Sequence, residues 1–119
     1  MRELFAHDAV LAIEPDADIQ APGAAVTKAL CGSWEHEPPC PLASHHSHPQ
    51  RSNGAVDLRI LFATEPNKEP AVRQLIDAAL SAGRLDDRDG PTARWGLLAS
   101  ERGEIRPEEM DHGQRLLHG

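Results

Sequence analysis

Residues 53–63 read NGAVDLRILFA and decide the fold, because they combine a turn with an alternating strand. The Asn-Gly pair favours a two-residue hairpin turn, since both central residues of a type I′ turn need a positive φ. After the turn, every second residue is a large apolar one, which is typical of a strand that buries one face. These residues are Val56, Leu58, Ile60 and Phe62. The pattern predicts a strand over residues 56–63, with its hairpin partner over residues 45–51.

The turn also fixes which residues of the two strands face each other. The predicted pairs are Ser52 with Ala55, His48 with Arg59, and His46 with Leu61. If the apolar set faces a layer of helices, His46 and His48 point to the opposite, open face, and His45 points toward the helices. Pro49 cannot donate a backbone hydrogen bond, so the partner strand is expected at an edge of the sheet.

The rest of the chain alternates between strand and helix patterns. Short apolar or alternating runs predict strands over residues 9–13 and 93–103. Apolar residues at helical spacing predict two helices, each with a proline in its first turn and a glycine at its end. The first helix begins at Pro22 and stops at Gly32, and the second begins at Pro70 and stops at Gly83.

The order strand, helix, strand, strand, helix, strand resembles the ferredoxin-like βαββαβ arrangement, a class of α+β fold. The resemblance implies an antiparallel sheet with two helices on one face, followed here by a short C-terminal helix. We expect one domain over residues 1–119, with a helical tail over residues 105–119. The alternative is a looser α+β domain in which residues 45–51 form a loop.

Composition excludes several kinds of partner. The formal charge is −7 and aromatic residues make up only 3% of the chain, which disfavours nucleic acid. No apolar run approaches the roughly 18 residues that span a bilayer, so no membrane partner is expected. The start of the chain is acidic and lacks the pattern of a secretory signal, which indicates a cytoplasmic protein with reduced cysteines. Ten of its 12 basic residues are arginine, a composition typical of high-GC bacteria.

Residues 31–48 form a segment rich in His, Cys and Pro, and they hold six of the nine His and Cys residues of the chain. Imidazole and thiolate are the ligands that suit zinc, and also copper or nickel. The spacing matches no established zinc-finger pattern. Four such side chains that converge would nevertheless make a tetrahedral site. We therefore predict a transition-metal site in this segment, with zinc as the first choice.

The predicted metal ligands are His36, Cys40 and His46, completed by His45 or His48. Cys31 falls at the end of the first helix, where a small thiol more often fills the core. If four protein ligands close around the ion, the site is structural. If only three do, water takes the open position and hydrolytic chemistry becomes possible, with Glu35 or Glu37 as the general base.

Three alternatives to a metal site remain open at this level. In the first, residues 31–48 are a polar loop that binds no ligand. In the second, Cys40 is a metal-free nucleophile that a nearby histidine activates. A third reading makes the protein an interaction subunit that forms a homodimer through its open sheet face, with Leu61 and Leu98 in the interface. No class of small-molecule substrate is indicated. The adjacent pairs at residues 7–8 and 111–112 are expected to be solvated or to cap elements.

Overall fold

The part of the chain that the structure describes is a mixed α+β fold in which three helices pack on a five-stranded antiparallel sheet. This computed structural model describes residues 2–31, 44–52, 54–85 and 93–118. The strands are β1 (Glu3–Ile13), β2 (Ser44–Ser52), β3 (Ala55–Thr64), β4 (Arg84–Leu85) and β5 (Ala93–Gly103). The helices are α1 (Ala21–Cys31), α2 (Glu69–Ala82) and α3 (Met110–His118), with 3₁₀ turns at Pro66–Lys68 and Pro107–Glu109. The strand order across the sheet is β2-β3-β1-β5-β4.

The predicted hairpin is confirmed, and so is its register. β2 and β3 pair antiparallel with Ser52 opposite Ala55 and His46 opposite Leu61. Gly54 has the positive φ that the turn requires, at 81°. β2 lies at the edge of the sheet, as Pro49 had indicated.

One face of the sheet, the helix face, carries the main hydrophobic core. The apolar residues of β3 and β1 pack there against α1 and α2. These helices supply residues at helical spacing, which gives each of them one buried stripe. The fully buried members of the core include Leu11, Val26, Val56, Ile60, Phe62, Val72, Ile76 and Leu80.

The other face of the sheet, called the second face below, is partly covered by α3. This helix packs against β3, β1 and β2. Leu61 points to the second face, as its register requires, but only 5% of it is exposed. The sequence had indicated an open face at this position. The difference arises because the tail helix folds back onto the sheet instead of extending away from it.

The helix α2 ends at a glycine that cannot be replaced by another residue without a loss of stability. Gly83 has a φ of 70°, in the left-handed region. A Cβ atom at this position would lie 2.7 Å from the carbonyl oxygen of Trp95. The two chain segments are held that close because the Trp95 N–H donates to the Gly83 carbonyl at 3.0 Å. The close approach therefore joins the end of α2 to β5.

We expect Gly83→Ala to lower the free energy of unfolding by about 2–3 kcal/mol, through left-handed strain plus the clash with the Trp95 carbonyl. Gly54→Ala is the matched control, because Gly54 has φ 81° and no atom within 4 Å of an added Cβ. It should cost only the strain, about 1–2 kcal/mol. Chemical denaturation measures both losses, and equal losses would contradict the close approach at Gly83.

Candidate functional site

Part of the predicted metal site falls outside the described residues. His36 and Cys40, and the possible bases Glu35 and Glu37, lie in the segment 32–43 that the structure does not describe. Cys31 is the last residue of α1. The described candidates are the three histidines of β2.

His45 lies on the helix face, where its ring meets α1. Its Nε2 atom is 2.8 Å from the Thr27 hydroxyl oxygen. The Thr27 hydroxyl donates its only hydrogen to the Gly23 carbonyl oxygen, which is 3.2 Å from Oγ1. Because the hydroxyl can then only accept, Nε2 of His45 carries a hydrogen and donates it. The structure thus separates His45 from His46, and their rings point to opposite faces of the sheet.

His46 lies on the second face and meets a histidine that is distant in sequence. The centroids of the His46 and His112 rings are 4.3 Å apart, with an angle of 47° between the ring planes. Burial lowers the pKa of His46 below its usual value, and the neighbouring His112 lowers the pKa further. A neutral imidazole keeps the nitrogen lone pair with which histidine binds metal ions. The lowered pKa therefore favours the form of His46 that can bind a metal ion, and the ring lies on β2 beside His112 of α3.

His48 follows two residues later on the same face and lines a different feature. It borders a cavity whose lining includes the polar residues Gln50, Asp57, Arg59 and Arg106 and the apolar residues Val10 and Leu58. Across residues 2–31, 44–52, 54–85 and 93–118, no group of three or more His, Cys, Asp or Glu side chains converges to hold a metal ion. His46 and His112 alone would make an incomplete site.

An ion pair positions His112 over the sheet. The Arg59 guanidinium donates two hydrogen bonds to the Glu109 carboxylate, at 2.6 and 2.7 Å, just before α3 begins. It also donates to Asp8 of β1 at 2.8 Å and to the Glu104 carbonyl. The hydrogen bonds that Glu109 accepts from Arg59, together with one from the Arg106 backbone N–H, lower the pKa of Glu109 to about 2. Such a two-point pair fixes both position and orientation. His112 then lies three residues further along, above β2.

A second cluster of polar side chains lies on the helix face around His7. The ring of His7 is almost fully buried, with 3% of the residue exposed. Arg73 of α2 donates to its Nδ1 atom at 2.9 Å, and its Nε2 atom is 2.7 Å from the Ser100 hydroxyl oxygen. Ser100 in turn donates to Asp77. The expectation of a solvated or capping role for His7 was wrong, since the ring lies between α2 and β5.

The hydrogen-bond directions show what this cluster can do. A guanidinium can only donate, so Nδ1 of His7 accepts and the ring hydrogen is on Nε2. Nε2 therefore donates to Ser100 and cannot remove its proton. In a serine hydrolase the histidine accepts from the serine, with an acid group on its other nitrogen. His7, Ser100 and Asp77 thus form a structural relay that ties α2 to the sheet, and not an activated nucleophile.

Comparisons with protein families, with curated proteins and with solved structures found no match for this chain. The function therefore has to be argued from the two histidine clusters themselves. Among the helices that the structure describes, none is both long and apolar enough to cross a membrane.

The His7 relay predicts a pH dependence of stability. Burial is the main cause that lowers the pKa of His7 below its usual 6.5; Asp77 opposes this effect, and Arg73 adds to it. The unfolded chain therefore binds a proton more readily than the folded one. Stability that is present above pH 6.5 is lost as the pH falls from there to the folded pKa, at up to about 1.4 kcal/mol per pH unit.

The variant His7→Gln tests this expectation, because an amide approximates the neutral ring and does not titrate. Denaturation curves between about pH 7.5 and about pH 5 should show a steeper loss of stability for the wild type than for the variant. The measurement is made with a chelator present, so that metal binding does not contribute. Parallel pH profiles would contradict the assignment of a neutral His7.

Proposed function

We propose that the protein binds one transition-metal ion, zinc before copper or nickel, at a site built around His46. The observation that supports it is the meeting of His46 with His112, two imidazole rings from separate elements. His36 and Cys40, which precede β2 in sequence, are the further ligands we propose. Two imidazoles of the described fold and one imidazole and one thiolate of the segment make four donors, the number zinc prefers in structural sites.

A closed set of four protein ligands favours a binding role over catalysis. An open position would be needed for a zinc-bound water to act on a substrate. We propose His112 in the fourth position because its ring is 4.3 Å from that of His46. His45 is engaged with α1, and His48 borders a cavity instead. A reducing cytoplasm is the compartment we propose, since it keeps Cys40 available as a thiolate ligand.

For the architecture we propose the ferredoxin-like arrangement with two additions. The four long strands lie in the order β2-β3-β1-β5, and α1 packs beside α2. The order of the four long strands supports this proposal if the two-residue β4, at the β5 edge, is treated as the first addition. The helix α3 is the second addition. The arrangement describes the scaffold and carries no activity by itself.

Elemental analysis of untagged protein after dialysis against buffered zinc tests the proposed site. We expect about one zinc per chain. Cys40→Ala and His46→Ala should each lower zinc affinity by more than about 100-fold, because loss of a direct ligand exceeds the 10–100-fold effect of its supporting hydrogen bonds.

The variant His45→Gln is the matched control, since it changes a neighbouring histidine on the opposite face. It should keep the wild-type stoichiometry and affinity. His48→Ala decides between the two candidates for the fourth position, and is expected to bind zinc as the wild type does. A wild-type protein that carries no zinc, or variants at Cys40 and His46 that bind it unchanged, would overturn the proposal.

A homodimer is the second candidate function, and one exposed side chain favours it. β1 and β5 change register between Val10 and Leu11, which leaves Leu98 as an extra residue in β5. Leu98 is 62% exposed, beside the exposed Ala99. The packing of α3 is mainly on β1, β2 and β3. We propose that any pairing of two copies uses the β1–β5 side of the second face, because α3 already buries Leu61.

Sedimentation velocity tests the dimer. We expect the wild type to sediment as a dimer and Leu98→Asp as a monomer, because a buried unpaired carboxylate is costly in an interface. Met110→Asp is the matched control, since Met110 is a large apolar residue that is 47% exposed but lies on α3. It should remain a dimer. A wild type that stays monomeric at high concentration would exclude this function.

A further inference from the structure

We infer that the cavity beside His48 binds a small zwitterion, of which a free α-amino acid is the simplest kind. The site is separate from the proposed metal site, because neither His46 nor His112 lines it. The cavity has a volume of about 280 Å³. Sites for small molecules usually measure about 300–1,000 Å³, so this cavity is suited to a ligand at the small end of that range.

Most of the lining comes from three paired strands. Residues two apart in a strand point to the same face, so the lining side chains of β1, β3 and β2 form two rows on the second face. The rows are Val10–Asp57–Gln50 and Asp8–Arg59–His48. They are roughly 7 Å apart along the strands. Side chains on paired strands are held more precisely than side chains on loops, so this part of the lining is largely preformed.

Arg106 contributes to the lining from outside the sheet. It comes directly before the 3₁₀ turn Pro107–Glu109, and its backbone N–H donates to the Glu109 carboxylate at 2.8 Å. Glu109 is itself held by Arg59 of β3. The backbone of Arg106 is therefore tied to the strands, while the residue is exposed.

The lining has two carboxylates and two guanidinium groups, and only one of each is already paired. Asp8 and Arg59 form an ion pair at 2.8 Å. Within the described part of the chain, the carboxylate of Asp57 and the guanidinium of Arg106 have no ion-pair partner. A ligand in the cavity would therefore meet one unpaired negative charge and one unpaired positive charge.

This combination of charges selects the class of ligand. Arg106 attracts a simple anion but Asp57 repels it, and the reverse holds for a simple cation. A zwitterion satisfies both groups, because its ammonium donates to Asp57 and its carboxylate accepts from the planar fork of Arg106. Gln50, opposite Asp57 in the sheet, has an amide oxygen that can accept a further ammonium hydrogen. The charges therefore favour an amino acid over an anion or a cation.

Titration of the protein with the common L-amino acids, followed by nuclear magnetic resonance, tests the site. A chelator is present, and the reporters are the backbone amide signals of His48, Gln50, Asp57 and Arg106. We expect at least one amino acid to shift these signals with a dissociation constant of roughly 1 mM or below. Its N-acetyl derivative lacks the ammonium group and its amide lacks the carboxylate. Each should bind about 10-fold or more weakly, because each loses a hydrogen bond between charged groups.

Two variants remove the unpaired charges one at a time. Asp57→Asn and Arg106→Gln change exposed residues, where substitution has little effect on stability. Each should lower the affinity for the amino acid about 10-fold or more. Glu101→Gln and Arg94→Gln are the matched controls, since each removes an exposed charge of the same sign from a residue that does not line the cavity. Both should bind the amino acid as the wild type does.

The outcomes decide the proposal independently of zinc, because the titration is made without metal. Binding that needs both charges of the amino acid, and that is weakened in both cavity variants but in neither control, supports the site. The proposal is overturned if no amino acid shifts the reporter signals at millimolar concentration or if the two derivatives bind as well as the parent. Unchanged affinity in either cavity variant, or an equal loss in the controls, would also overturn it.

Discussion

The structure depends on one constraint, which is that β3 must be covered on both sides. It lies between β1 and β2, and its residues from Ile60 to Thr64 are buried without interruption. A strand alternates its side chains between two faces, so consecutive buried residues require a layer on each. The helices α1 and α2 form one layer, and α3 supplies the other over Leu61. The positions of the β2 histidines follow from this arrangement, because β2 is aligned with β3 residue by residue.

Arg59 decides where the second layer begins. Its register position on β3 places a guanidinium between Asp8 and His48, with only 12% of the side chain exposed, and a charge that is so far removed from water is tolerated only if it is paired. Asp8 of β1 supplies one partner from within the sheet. Glu109 supplies the other from outside it, and thereby brings the start of α3 over β3. An electrostatic requirement of one strand residue therefore sets the location of a helix about fifty positions later, and with it the partner of His46.

The local features of the fold could be predicted from the sequence, and the contacts between distant segments could not. The turn preference of residues 53–54 and the alternating apolar residues that follow are local properties. The hairpin, its register and the edge position of β2 could therefore all be predicted. The docking of α3 was not, because Arg59 and Asp57 made the second face look solvated. The burial of His7 was also not predicted, because its partners Arg73 and Ser100 are distant in sequence. The available signal was spacing: His7 lies four residues before Leu11 on β1, and both therefore lie on the helix face.

The imidazoles of His7, His45 and His46 have different roles because their ring nitrogens meet different partners. Both ring nitrogens of His7 are engaged, one accepting from Arg73 and one donating to Ser100, so the ring is a structural element. His45 donates through Nε2 to a hydroxyl that has no hydrogen left to give. His46 instead faces another imidazole, and neither ring carries the fixed positive charge of a guanidinium. This contact between imidazoles of two elements is the reason why we propose a metal site at this pair and not at His7 or His45.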